Sequence, residues 1–213
     1  MALFARPASF PLVWLLARTR VSPTAVTLSS VPLVAAMPAI ALLAPPALAG
    51  PLVVLCACLF QVIDCVDGGL ARATGRFSRL GGTLDFLIDM VQWGVFYATV
   101  GLLADQALGT GALWTALGLV AGWTRLYARV VRDAAEPARV ETAGEGGETA
   151  PAGRMTPLDL IHAFFAGLSG ALPVALLLAW WAEALPALLV FLLLYSAADV
   201  IEALALTVRR QAQ

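Results

Sequence analysis

Forty-three consecutive residues, Val21 to Ile63, contain no Asp, Glu, Lys, Arg or His. A helix crossing a hydrocarbon core of about 30 Å needs roughly 20 mainly apolar residues, so this stretch suffices for two crossings. No water reaches a backbone amide at that depth, which restricts such a stretch to helices or a closed barrel. Pro45-Pro46 and Gly50 divide it, and the division predicts one helix over about 24–44 and another starting near 51. Ser22-Pro23 reads as a helix start, because proline in a first turn gives up an N–H that has no partner there. The rest of the chain has the same character: 61% of its residues are hydrophobic, 13% are charged and the mean hydropathy is +0.87. These values lie far from a soluble profile and predict an all-α polytopic membrane protein.

Arginine sets the expected topology. All thirteen basic residues are arginine, in groups at 6, 18 and 20; at 72, 76 and 79; at 125, 129, 132, 139 and 154; and at 209 and 210. The apolar stretches between groups must cross an even number of times to return every group to one side. The positive-inside bias makes that side the cytoplasm. Six transmembrane helices satisfy this, over about 24–44, 51 to the Asp67 region, 81–103, 112–132, 157–181 and 185–208, with both termini cytoplasmic. The net charge of −1 gives no indication of nucleic acid as a partner.

Residues 1–22 read as an N-terminal interfacial amphipathic segment, with Phe4, Phe10, Leu12, Trp14 and Leu15 among arginines in a run too short to span. Ala47-Leu48-Ala49 has the form of a signal-cleavage site, but the apolar run before it exceeds the roughly 7 to 15 residues of a signal h-region. Residues 23–213 are expected to form one transmembrane domain. Within it, 133–154 turns abruptly to Glu, Gly, Ala and Pro, the composition of a disordered cytoplasmic linker. Cys56, Cys58 and Cys65 have neither metal-ligand spacing nor an even count and are expected to be small core residues.

Against this background Asp64, Asp67, Asp85 and Asp89 stand out. The i, i+3 and i, i+4 spacings put each pair on one helical face. Asp89 would lie roughly 12 Å along its helix from Gly81, so both pairs fall near the cytoplasmic interface. Two such faces brought together make a cage of oxygen ligands suited to divalent cations. Carboxylates at membrane depth are costly and are retained mostly for function.

The run Asp64-x-x-Asp67-Gly68-x-x-Ala71-Arg72, eight residues, then Gly81-x-x-x-Asp85-x-x-x-Asp89 resembles the complete signature of the CDP-alcohol phosphotransferase family of integral membrane enzymes. The resemblance implies transfer of a phosphatidyl-type group from a CDP-linked lipid, CDP-diacylglycerol, to an alcohol, with release of CMP. It implies that Asp64, Asp67, Asp85 and Asp89 bind two Mg2+ or Mn2+ ions and that Asp89 is the general base for the acceptor hydroxyl. By the same resemblance Gly68, Ala71 and Arg72 contact the CDP-lipid, as do Ser78 and the segment Thr24, Ala25, Val26, Thr27. At Thr24 members making phosphatidylinositol phosphate commonly carry an acidic residue, a departure here. The family generally forms homodimers in the cell membrane, with the site at the cytoplasmic face.

Outside the signature, alternatives stay open. Arg125, Arg129 and Arg132, at i, i+4 and i+7 on one helix face, are topology anchors or candidate acceptor-binding residues, and the second reading points to a phosphorylated alcohol such as inositol phosphate or glycerol phosphate. His162 is an interhelical hydrogen-bond partner or a ligand. Asp199 and Glu202 either pair with an arginine of another helix or bind acceptor. Two rival functions compete with the transferase: a metal-dependent membrane hydrolase of CDP-lipid, and a noncatalytic ion-conducting or scaffold protein.

Overall fold

Proline decides where the first apolar stretch bends. A computed structural model describes residues 5–135 and 170–211, and among them every regular element is an α-helix. The expected helix over 24–44 is two, α2 (Pro23–Ser29) and α3 (Val31–Leu43), parted at Ser30. Pro32 lacks the N–H that would bond the Leu28 carbonyl, and its ring crowds that carbonyl, which favours a break at this point. Together α2 and α3 still make one span-length unit, Pro23–Leu43. Before them, α1 (Ala5–Leu16) lies within residues 1–22 and packs on α4.

α4 (Pro46–Thr74) begins five residues earlier than expected. Pro46 occupies the first turn, where proline fits, and Pro51 is accommodated inside the helix. Ala47–Ala49 lies within this helix. α5 (Arg79–Leu108) overruns its expected end because no residue between 103 and 108 breaks it; Gly109, at φ 66°, stops it. α6 (Leu113–Ala135) extends three residues into the expected linker. The described part of α7 is Gly170–Trp181, and α8 covers Leu185–Gln211. The remainder of the linker, the expected start of the fifth span and His162 lie outside the described residues.

Four described units are long and apolar enough to cross a membrane: Pro23–Leu43, Pro46–Thr74, Arg79–Leu108 and Leu185–Val208. This is a multi-pass membrane architecture. α6 is long enough but interrupts its apolar surface with three arginines. The main core gathers α3, α4, α5, α7 and α8 around Met37, Phe60, Tyr97, Leu176 and Leu192. A smaller cluster, Val26, Val66 and Leu70 with Val13 and Leu16 against it, ties α1 and α2 to α4. Gly69 allows that approach, since a methyl there would sit 2.8 Å from Val13 Cγ2.

α5 and α6 lie close because glycines meet across them. A methyl on Gly118 would strike the Tyr97 carbonyl, and one on Gly101 the backbone at Trp114 and Thr115, the small-residue contact by which membrane helices approach. Buried Asp105 then caps α6 from the end of α5. Its carboxylate accepts from Trp114 N (3.0 Å), Thr115 N (2.8 Å), Thr110 Oγ1 (2.7 Å) and Thr115 Oγ1 (2.7 Å).

Candidate active site

The signature's two halves are folded together by a four-residue reversal. α4 ends at Gly75, whose φ of 66° is open to glycine without steric penalty. Three residues on, Ser78 caps α5, its Oγ accepting from Gly81 N–H at 2.9 Å. Thr24 Oγ1, at the start of α2, lies 3.3 Å from Ser78 Oγ. A methyl on Gly81 would sit 2.7 Å from Ser78 Oγ and 3.0 Å from Thr24 Oγ1, so the meeting of these hydroxyls requires a residue without a side chain.

A pocket opens at this junction. Pro23, Thr24 and Thr27 line it from α2; Asp67, Gly68, Ala71 and Arg72 from α4; Arg76, Phe77 and Ser78 from the connection; Gly81, Gly82 and Asp85 from α5. The Arg72 guanidinium folds back over Gly68, where a methyl would lie 3.4 Å from Nη1. Asp67, 6% exposed, is held by the Thr27 hydroxyl, which donates to Oδ2 at 2.6 Å, and by Gly68 N–H, which donates to Oδ1.

Asp64 and Asp89 are half-buried and stand outside the pocket lining. All four carboxylates are nevertheless within electrostatic reach of one another: Asp67, Asp85 and Asp89 act on Asp64, and Asp85 and Asp89 act on Asp67. Arg129 of α6 acts on Asp64, Asp85 and Asp89, with its guanidinium 5.6 Å from the Phe86 ring. Among the described residues no three His, Cys, Asp or Glu side chains are drawn tightly enough together to form a ready-made metal cluster. The donor set still fits hard divalent cations: it is all carboxylate oxygen, contributed by two facing helices, and its like charges call for a counter-ion.

The pocket brings together most of the residues picked out in the sequence, but Ala25 and Val26 do not line it. Ala25 N–H bonds Ser22 Oγ at 3.2 Å in the α2 cap, and Val26 is buried against Val66 and Leu70. Two of the three α6 arginines turn to α8. Arg125 pairs with Asp199, and Arg132 with both Asp199 and Glu202. Sequence reasoning missed Pro23, Arg76, Phe77 and Gly82 as lining residues. Arg76 alone had a usable signal, a cation between the halves of an acidic motif.

A family model described as CDP-alcohol phosphatidyltransferase matches residues 20–207. The chain belongs to that family. The matched region contains both signature halves and α2. The archaetidylinositol phosphate synthase of Pyrococcus horikoshii is 36% identical over 86 residues, covering 39% of this chain. The chain spans 38% of that relative's length.

Proposed function

We propose that this chain transfers a phosphatidyl-type group from CDP-diacylglycerol to an alcohol, releasing CMP, at the cytoplasmic face of the cell membrane. The observation that carries this reading is the single pocket in which Asp67 and Asp85, one from each half of the signature, share walls with Thr24, Gly68, Ala71, Arg72 and Ser78. Family membership supports the reaction class. The relative named an archaetidylinositol phosphate synthase agrees with a phosphorylated alcohol as acceptor, inositol phosphate or glycerol phosphate.

The nucleotide lies against Gly68 and Ala71, whose small side chains let it approach the helix, and the Arg72 fork donates to its phosphates. Asp64, Asp67, Asp85 and Asp89 would hold two Mg2+ or Mn2+ ions, which when bound supply the charge that offsets the pyrophosphate and the departing CMP. Thr27 keeps Asp67 in one orientation. Asp89 takes the proton of the acceptor hydroxyl. The hydroxyl oxygen bonds to the donor's β-phosphorus as the bond from that phosphorus to the CMP oxygen breaks, and CMP leaves with the electron pair. The acyl chains enter sideways from the bilayer and the alcohol from the cytoplasm. Six crossings, cytoplasmic termini and a homodimer complete the reading.

The test is mass spectrometry of lipids formed by purified protein from CDP-diacylglycerol, Mg2+ and each alcohol of a panel. A new phospholipid is expected with a phosphorylated alcohol. Phosphatidic acid alone, formed in water without any alcohol, would assign the protein to the hydrolases.

A further inference from the structure

We propose that Asp199 and Glu202 are positioning residues: by taking Arg125 and Arg132 into ion pairs they fix how α6 is turned, so that Arg129 is the guanidinium that meets the acceptor's anionic group. The identity of that anion rests on the transferase reading above.

The three arginines share one face of α6 but not one environment. Asp199 and Glu202 are 1% and 5% exposed. Asp199 bridges two guanidinia: Oδ2 accepts from Arg125 Nη1 and, at 3.2 Å, from Arg132 Nη1, Oδ1 accepts from Arg132 Nη2, and the backbone carbonyl takes a further bond from Arg132 Nη2 at 3.2 Å. Arg132 Nε also donates to Glu202 Oε2 at 3.2 Å. These pairs offset charge inside the bundle, as charge at membrane depth requires. Arg125 is held further by aromatic faces, 4.9 Å from the Tyr195 ring and 5.8 Å from Trp93.

Arg129 is bracketed by these anchors, four residues after one and three before the other. Among the described residues no carboxylate bonds it, and it is exposed. Its guanidinium lies by Phe86, the neighbour of Asp85 on α5, and its charge is felt by Asp64, Asp85 and Asp89. An anionic substrate approaching the carboxylate cluster from α6 meets Arg129 first. Without Asp199, Arg125 would lose this carboxylate and Arg132 would keep Glu202 alone, so α6 would be free to turn and Arg129 would leave its place.

Phenylglyoxal labelling of the detergent-purified full-length protein, read by peptide mass spectrometry, tests this without turnover. Arg129 should react roughly tenfold faster than Arg125 and Arg132, the least expected when a desolvated charge pair must open first, and Asp199→Asn should bring Arg125 towards its rate, with a smaller gain at Arg132, which keeps Glu202. Equal rates in the wild type, or an unchanged pattern in the variant, would overturn the proposal. If Asp199→Asn does not fold, Glu202→Gln serves instead: Arg132 should gain reactivity while Arg125 stays protected, and no gain at Arg132 contradicts the proposal.

Kinetics separate positioning from simple support. Asp199→Asn should raise KM for the phosphorylated alcohol, leave KM for CDP-diacylglycerol unchanged, and add nothing to Arg129→Ala; Asp199→Glu should recover most of the loss. Equal increases in both KM values, or additivity with Arg129→Ala, count against it. A wild type that transfers to no alcohol refutes the transferase reading and leaves the labelling result to decide the geometry.

Discussion

Asp67 owes its orientation to Thr27. The two are forty residues apart in the chain, and the 2.6 Å bond between them is buried. Thr27→Val removes the donor at nearly constant volume and leaves a buried carboxylate oxygen short of a partner, a loss of about 1–3 kcal/mol. Turnover measured as CMP release should fall by roughly ten- to a hundredfold, while Thr27→Ser keeps most of it. Equal activity of the valine variant would mean that Asp67 needs no such holder. Gly81→Ala places a methyl between Ser78 and Thr24 and should raise KM for the CDP-lipid more than KM for the alcohol. Thr27 was visible in the sequence as a member of the 24–27 segment, but only as a nucleotide contact. Its partner was hidden because no local spacing reports a bond between two helices.

α6 depends on its neighbours for place and rotation. Asp105 satisfies its first-turn amides and two threonine hydroxyls. Asp105→Ala should therefore lower stability by about 2 kcal/mol, seen as a lower Tm in detergent with activity retained well below the melting range. Gly118→Val drives a branched side chain into the Tyr97 carbonyl and should abolish a monodisperse folded fraction in size-exclusion chromatography. Both residues were in plain sight. A cap such as Asp105 is recognisable only once the following helix is placed. Gly118-x-x-x-Gly122 passed without assignment, because a pair of small residues does not name its partner helix. The prolines were more instructive: Pro45-Pro46 and Gly50 were taken as a boundary, yet Pro46 and Gly50 lie inside α4, and Pro32, passed over, stands at the break between α2 and α3.

The architecture followed from charge and apolar length more completely than from any local signal. A charge-free stretch, arginine groups at regular intervals and one acidic signature were enough to anticipate an all-helical membrane fold with the carboxylates folded together at one end. The pairing of Asp199 and Glu202 with α6 was one of two readings that the sequence left open, because helical depth says how far in a residue lies and not which helix it faces. Orientation is directly testable: a thiol introduced by Phe77→Cys, in the exposed connection beside the pocket, should react with an impermeant reagent in inverted vesicles and resist it in intact cells. The reverse pattern would place the site on the outer face. The proposal that the four carboxylates form a metal-dependent transferase centre is tested most directly by CMP release from CDP-diacylglycerol, with and without a phosphorylated alcohol, in wild type and Asp89→Asn. Release by the wild type should require both the alcohol and Mg2+ or Mn2+, stop on chelation, and fall by about 10² to 10⁴-fold in the variant. Release that is independent of the alcohol, or that survives Asp89→Asn undiminished, would contradict it.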